Sequence, residues 1–167
     1  MRASSLKSRA QYNAGVTLLE LTIAVLLIGI FAAVAAPVYS NSLHRFRVDI
    51  AAQRIAQDVT QAQRIAQQTN STRTISFATT NDSCVISGVN SLDRASQPYR
   101  VLLNQSPYQV DISSLVDSAT PSIQVSSLSV AFNRFGMPDK GIIVTVRAGA
   151  FQKRVDVAPI SGRVTIQ

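Results

Sequence analysis

Read from the N-terminus, the pattern of apolar and polar positions changes three times along the chain. Residues 1–15 are polar, with Arg2, Lys7 and Arg9 and no acid. Residues 16–39 are apolar almost throughout. At about 1.5 Å per residue, such a helix is long enough to cross a hydrocarbon core of about 30 Å. Beyond Pro37, which ends or kinks the helix, Val48, Ala52, Ile55, Val59, Ala62, Ala66 and Thr69 recur every three or four residues. That spacing predicts one face of an amphipathic helix. Arg45, Arg47, Arg54, Gln57, Gln61, Arg64 and Gln68 fall mostly outside it, and Asn70 and Ser71 suit a helix exit. The hexamer AQRIAQ occurs at 52–57 and 62–67. Ten residues rotate the second copy by about 80°, so the repeat broadens the stripe and makes no coiled-coil seam.

From residue 71 the period shortens to two. Strands are predicted over 72–78, 84–88, 99–103, 108–113, 123–132, 142–147 and 151–157, with a last one at Val164 and Ile166. Residues 104–107 are a hairpin-sized gap, and 148–150 read as a tight hairpin. Residues 89–98 and 114–122 are Ser-rich, polar and unpatterned, hence loops. The predicted class is α+β. A long N-terminal helical spine, membrane-spanning in its first half and amphipathic in its second, packs on an antiparallel β-rich head built as a sandwich or a pair of sheets. If straight, the spine would exceed roughly 75 Å.

Composition changes this picture in one respect. Charged residues make up 15% of the chain, low for a soluble globular domain, where about 25% is usual. The net charge is +7, and subtracting the three basic residues before Gly15 leaves +4. Part of the basicity therefore belongs to an N-terminal targeting segment. By the positive-inside rule this segment lies on the cytoplasmic side. Cys84 is the only cysteine. Intramolecular disulfides and cysteine metal sites are excluded, and a strand position, half-buried, is expected for it.

One residue breaks the apolar run GVTLLELTIAVLLIGI at 15–30: Glu20, the only glutamate in the chain. A charge at the centre of a span costs on the order of 2.5–3.5 kcal/mol, less near the interface. Three readings compete. A secretory signal peptide would be cut after the small residues Ala33 and Ala35, releasing a soluble exported β-domain, but it has to insert a glutamate. A plain single-span anchor leaves Glu20 unexplained. In the third, Glu20 is a functional residue with a partner.

The basic leader ending in Gly15, Glu20 five residues on, and the apolar helix running to Pro37 resemble the signal of type IV pilins and type II secretion pseudopilins. The resemblance implies a pilin-like fold with four parts: a leader at 1–15, a transmembrane and assembly helix at 16–39, an amphipathic helix at 40–70 and a globular head at 71–167. It implies cleavage by a prepilin peptidase between Gly15 and Val16, methylation of the new amine, and a Glu20 carboxylate that meets the N-terminal amine of a neighbouring pilin-like subunit. Val16 stands where the family usually has Phe. The segments FNRFGMP at 132–138, VDV at 155–157 and SGRV at 161–164 are similar to the end of the GspH/FimT group of minor pseudopilins. That group implies a subunit at or near the tip of a type II secretion pseudopilus, held in the bacterial inner membrane with its head in the periplasm.

No catalytic constellation emerges. His44 stands alone, Asp111 and Asp117 flank a Ser-rich loop without making a calcium site, and no phosphate loop, HExxH or GxSxG occurs. The expectation is no enzyme, no cofactor and no metal. Nucleic acid is the alternative partner. By strand parity Arg147, Arg154 and Arg163 point to the polar side of the C-terminal strands, candidate DNA contacts with Lys140 and Lys153 at their rim. The DNA-binding FimT-like branch tends to carry a second Arg two residues after the Gly-Arg pair; here Thr165 stands there. Solvated strand faces paired in part with Asp156 are the simpler reading.

Overall fold

The structure is a computed structural model that describes residues 16–91 and 96–167. Its one long helix, α1 (Leu18–Gln68), precedes the strands β1 (Arg73–Ala78), β2 (Ser83–Asn90), β3 (Pro98–Leu102), β4 (Asp111–Asp117), β5 (Ser127–Phe132), β6 (Ile142–Ala148), β7 (Phe151–Val157) and β8 (Val164–Ile166). The chain divides into a unit ending at Tyr39 and a second unit, Ser40–Gln167.

Pro37 does not end α1 but lies inside it. The end comes at Gln68, and two residues on Asn70 takes a left-handed backbone (φ 50°). The Ser71 N–H donates to Ala66 O at 3.2 Å and that of Asn70 to Gln67 O at 3.4 Å. This is the paired-bond helix stop that satisfies orphan carbonyls of the last turn. The buried face of α1 comprises Val48, Ala51, Ala52, Ile55, Asp58, Val59, Ala62 and Ala66. Thr69, expected in the stripe, is exposed because the helix is already closing there.

The strands form two antiparallel sheets, ordered β3-β2-β1-β5 and β4-β6-β7-β8. Their inner faces supply Ile75, Phe77, Ile86, Val130 and Phe132 from the first sheet and Leu115, Ile142, Val144 and Val155 from the second. With the α1 stripe these residues form one core. Cys84 is on β2 as a strand residue, but fully rather than half buried, and burial pushes its thiol well above the ordinary value. The tight hairpin between β6 and β7 has Gly149 at φ 57°, with Ala148 paired to Phe151.

Several expectations fail, most of them around β4, which begins at Asp111 rather than residue 108. The gap at 104–107 is no hairpin: β3 and β4 belong to different sheets, and the segment crosses between them. Residues 114–117 are not loop but the second half of β4. The cause is a register shift between Ile112 and Ser114. This bulge puts Ile112 and Leu115 on the buried side three residues apart, which erases the period of two. At the other end, 123–126 precede β5 rather than belong to it, with an isolated bridge from Gln124 to Val116 and a backbone hydrogen bond from Thr79 to Ser126 O at 2.9 Å.

Asp82, in the β1–β2 turn at φ 47°, joins the crossing segment to this frame. Its carboxylate accepts the Ile112 N–H at 2.7 Å and its carbonyl accepts the Leu103 N–H at 2.8 Å. Replacing Asp82 with Ala leaves the Ile112 N–H without its acceptor and should cost about 1–2 kcal/mol, read as a lowered Tm of the detergent-solubilised full chain.

Candidate functional site

Over its described residues, 16–39, the first unit presents an apolar surface with one charge, Glu20. Leu18 is 80% exposed and Phe31 72%. By length and composition α1 is apolar enough to cross a membrane. The polar side chains near its start are matched to the helix end. Thr17 Oγ1 accepts the Glu20 N–H at 3.2 Å, and the Thr22 hydroxyl donates to Leu19 O at 2.8 Å. Glu20 lies in the first turn of α1, where a carboxylate meets the positive end of the helix dipole. Threonine followed three residues later by glutamate is also the capping-box spacing, a signal legible in the sequence that the family resemblance overshadowed. Among the described residues none pairs with the Glu20 carboxylate. Val16 lies just ahead of the helix and is exposed, and Pro37 lies within the apolar run. Gly15 falls outside the described residues.

The second unit contains a polar cluster that sequence reasoning missed. Asp58 sits in the apolar stripe between Ile55 and Val59, 2% exposed. Its Oδ1 accepts the Tyr99 hydroxyl at 2.7 Å and lies 3.2 Å from Arg54 Nε. Arg54 also donates to the Tyr99 oxygen, and its guanidinium lies over the Tyr99 ring, 5.9 Å from the centroid. Burial raises the Asp58 carboxyl above its ordinary 3.8, against the opposing pull of Tyr99 and Arg54. The second oxygen, Oδ2, is buried with no hydrogen-bond partner among the described residues. An Arg and an Asp four residues apart on one helix were the available signal; that Tyr99 would meet them is decided by tertiary contact.

The three C-terminal arginines do share the outward face of the second sheet. Arg147 pairs with Asp111 across β4 and β6, and Arg154 pairs with Thr145 across β6 and β7. Arg154 Nε is bonded to Asp156 Oδ1 at 2.6 Å, the pairing expected of a solvated strand face. Arg163, just before β8, lines one groove with Arg154. Lys153 is not on their rim: it shares the parity of Val155 and Val157 and forms an ion pair with Asp49 of α1 at 2.6 Å. His44 packs beside Gly149 of the β6–β7 hairpin.

No protein-family model and no curated protein matches the chain. Among solved structures it is similar to the type IV minor pilin FimU of Pseudomonas aeruginosa strain PAO1 in two crystal forms. For the P21 form the TM-score is 0.49 at 10% identity, covering 74% of this chain and 90% of that one. For the P65 form it is 0.47 at 10% identity, covering 71% and 91%.

The Asp58 cluster yields two expected outcomes. Tyr99→Phe removes a hydrogen bond from a buried carboxylate and should cost about 1–3 kcal/mol. Because the folded-state pKa of Asp58 is raised, its contribution to stability is present below pH 3.8 and lost as pH rises through the higher folded value. Asp58→Asn should flatten that part of the stability–pH curve, measured by thermal unfolding across the acid range.

Proposed function

We propose that the chain is a structural subunit of a pilin-like filament. One observation carries the reading: the chain's only glutamate occupies the first turn of an otherwise apolar, exposed helix whose continuation packs on a β-rich head. A carboxylate so placed is unpaired within its own described chain, and in a low-dielectric surrounding it calls for a cation. Cleavage after Gly15 would create one, the amine of Val16, which in a neighbouring subunit offset by about one helical turn would lie at the depth of Glu20. In this reading the prepilin peptidase frees and methylates Val16 on the cytoplasmic face of the inner membrane, Glu20 sets the register against the neighbour's amine, and the head projects into the periplasm. The finer assignment is a GspH-like minor pseudopilin at or near the tip of a type II secretion pseudopilus. Its support is the C-terminal pattern at 132–138 and 161–164.

A second reading, a DNA-binding minor pilin of an uptake filament, draws on the common face of Arg147, Arg154 and Arg163. It ranks lower because Asp156 holds Arg154 and Asp111 stands opposite Arg147.

Glu20→Gln separates the two roles open to Glu20, since glutamine also serves in a capping box but carries no charge. In a host with prepilin peptidase, the mature mass should correspond to a methylated Val16 start for both proteins. Glu20→Gln should insert in the membrane normally yet enter filaments roughly tenfold less, the factor given by about 1.4 kcal/mol. Incorporation at the wild-type level would sink the ion-pair role and leave helix capping.

A further inference from the structure

A groove of about 380 Å³ opens on the outward face of the second sheet. Its floor includes Ile143 and the Arg154–Asp156 pair. One wall is the turn after β4, with Pro121, and the other is the β7–β8 connection, with Pro159 and Arg163. Both walls are fixed by backbone hydrogen bonds. The Ser118 N–H donates to Gly141 O at 3.0 Å, and the Ala158 and Gly162 N–H groups donate to Arg163 O and Ala158 O, each at 3.0 Å. Gly141 permits this arrangement, because a Cβ there would come within 2.3 Å of Ser118 Oγ and 2.7 Å of Val157 O. A groove held open in this way needs little ordering to bind, which removes one of the main costs of association.

Its chemistry selects among polymers. Arg154 is matched by Asp156 at 2.6 Å. Among the described residues no carboxylate forms an ion pair with Arg163. The groove therefore offers one uncompensated positive charge between apolar walls. A nucleic-acid backbone presents a run of phosphates and is held by several cations at once. One free guanidinium and two prolines fit that poorly. They fit a polypeptide with a single carboxylate between apolar side chains, where the guanidinium makes a charge-assisted pair and the flanks cover Pro121, Ile143 and Pro159. The neighbouring β8 is an edge strand of three residues, so the partner's chain can run past it without meeting another strand.

We propose that this groove is a docking site for an extended segment of a partner protein that carries one carboxylate between apolar residues, with the carboxylate on Arg163. The inference does not depend on the filament reading, and its test uses the isolated full chain in detergent.

The probe is a fluorescein-labelled peptide, Ala-Pro-Val-Asp-Val-Pro-Ala, followed by anisotropy. Its Asn analogue and a labelled short DNA duplex are run alongside. The Asp peptide should bind, and the Asn analogue should bind about tenfold more weakly, the loss expected for one charge-assisted hydrogen bond. Arg163→Gln should weaken the Asp peptide by a similar factor. Asp156→Asn, which frees Arg154, should strengthen it several-fold, a gain that a misfolded protein cannot produce. Arg100→Gln, away from the groove, should change nothing. Absence of Asp-peptide binding, equal binding of the Asn analogue, or indifference to Arg163→Gln overturns the proposal. So does Arg163-dependent binding of the duplex in preference to the peptide, which would favour the nucleic-acid reading.

Discussion

The buried stripe on the second half of α1 is the contact on which the rest of the head depends. A sheet with one apolar face has to cover it, and here two four-stranded sheets converge on a helix face made mostly of alanine and β-branched residues. The helix is tied to each sheet by a separate polar contact, Asp58 to Tyr99 of β3 and Asp49 to Lys153 of β7. At its last turns Gln63 donates to Gly136 O at 2.8 Å and Gln67 to Phe135 O at 3.0 Å. The loop between β5 and β6 is thereby fixed as well. Pairing inside each sheet brings together strands distant in the chain, β1 with β5 and β4 with β6, and this helix and the Asp82 crossing tie the two sheets to one another.

Buried charge is used sparingly and unevenly. Asp58 is costly where it sits, because burial disfavours its charged form and one oxygen has no partner. A cluster of Arg, Asp and Tyr side chains at that price in stability also fixes the rotation of the helix against β3, since the hydrogen bonds require one geometry. Glu20 poses the inverse case: its backbone is capped by Thr17, while its carboxylate has no described partner. One charge is matched by Arg54 and Tyr99, and the other has no partner among the described residues.

The outward face of the second sheet shows why a count of arginines misleads. Parity along the strands put Arg147, Arg154 and Arg163 on a common side, and so they lie. The same parity puts Asp156, two residues from Arg154, on that face, where it accepts the Arg154 hydrogen bond as the simpler reading expected. The face is a mixed surface with one unmatched guanidinium in a groove, a different object from a basic patch.

Much of the fold was legible because its signals are periodic. The apolar run, the three-and-four spacing from Val48 to Ala66, the exit at Asn70, and the hairpin at Gly149 all follow from local rules of helix and turn geometry. The Thr17 cap on the Glu20 N–H is equally local. What escaped depends on distant partners or on a break in period. The bulge after Ile112 hid half of β4, and a gap short enough for a hairpin turned out to carry the chain from one sheet to the other. The sequence by itself determined the helical spine, its lone glutamate and most strands, since each shows as a pattern within a few residues. Only the tertiary structure decided sheet order, the meeting of Tyr99 with Asp58, and the groove around Arg163, because each joins residues whose separation along the chain no local pattern can encode.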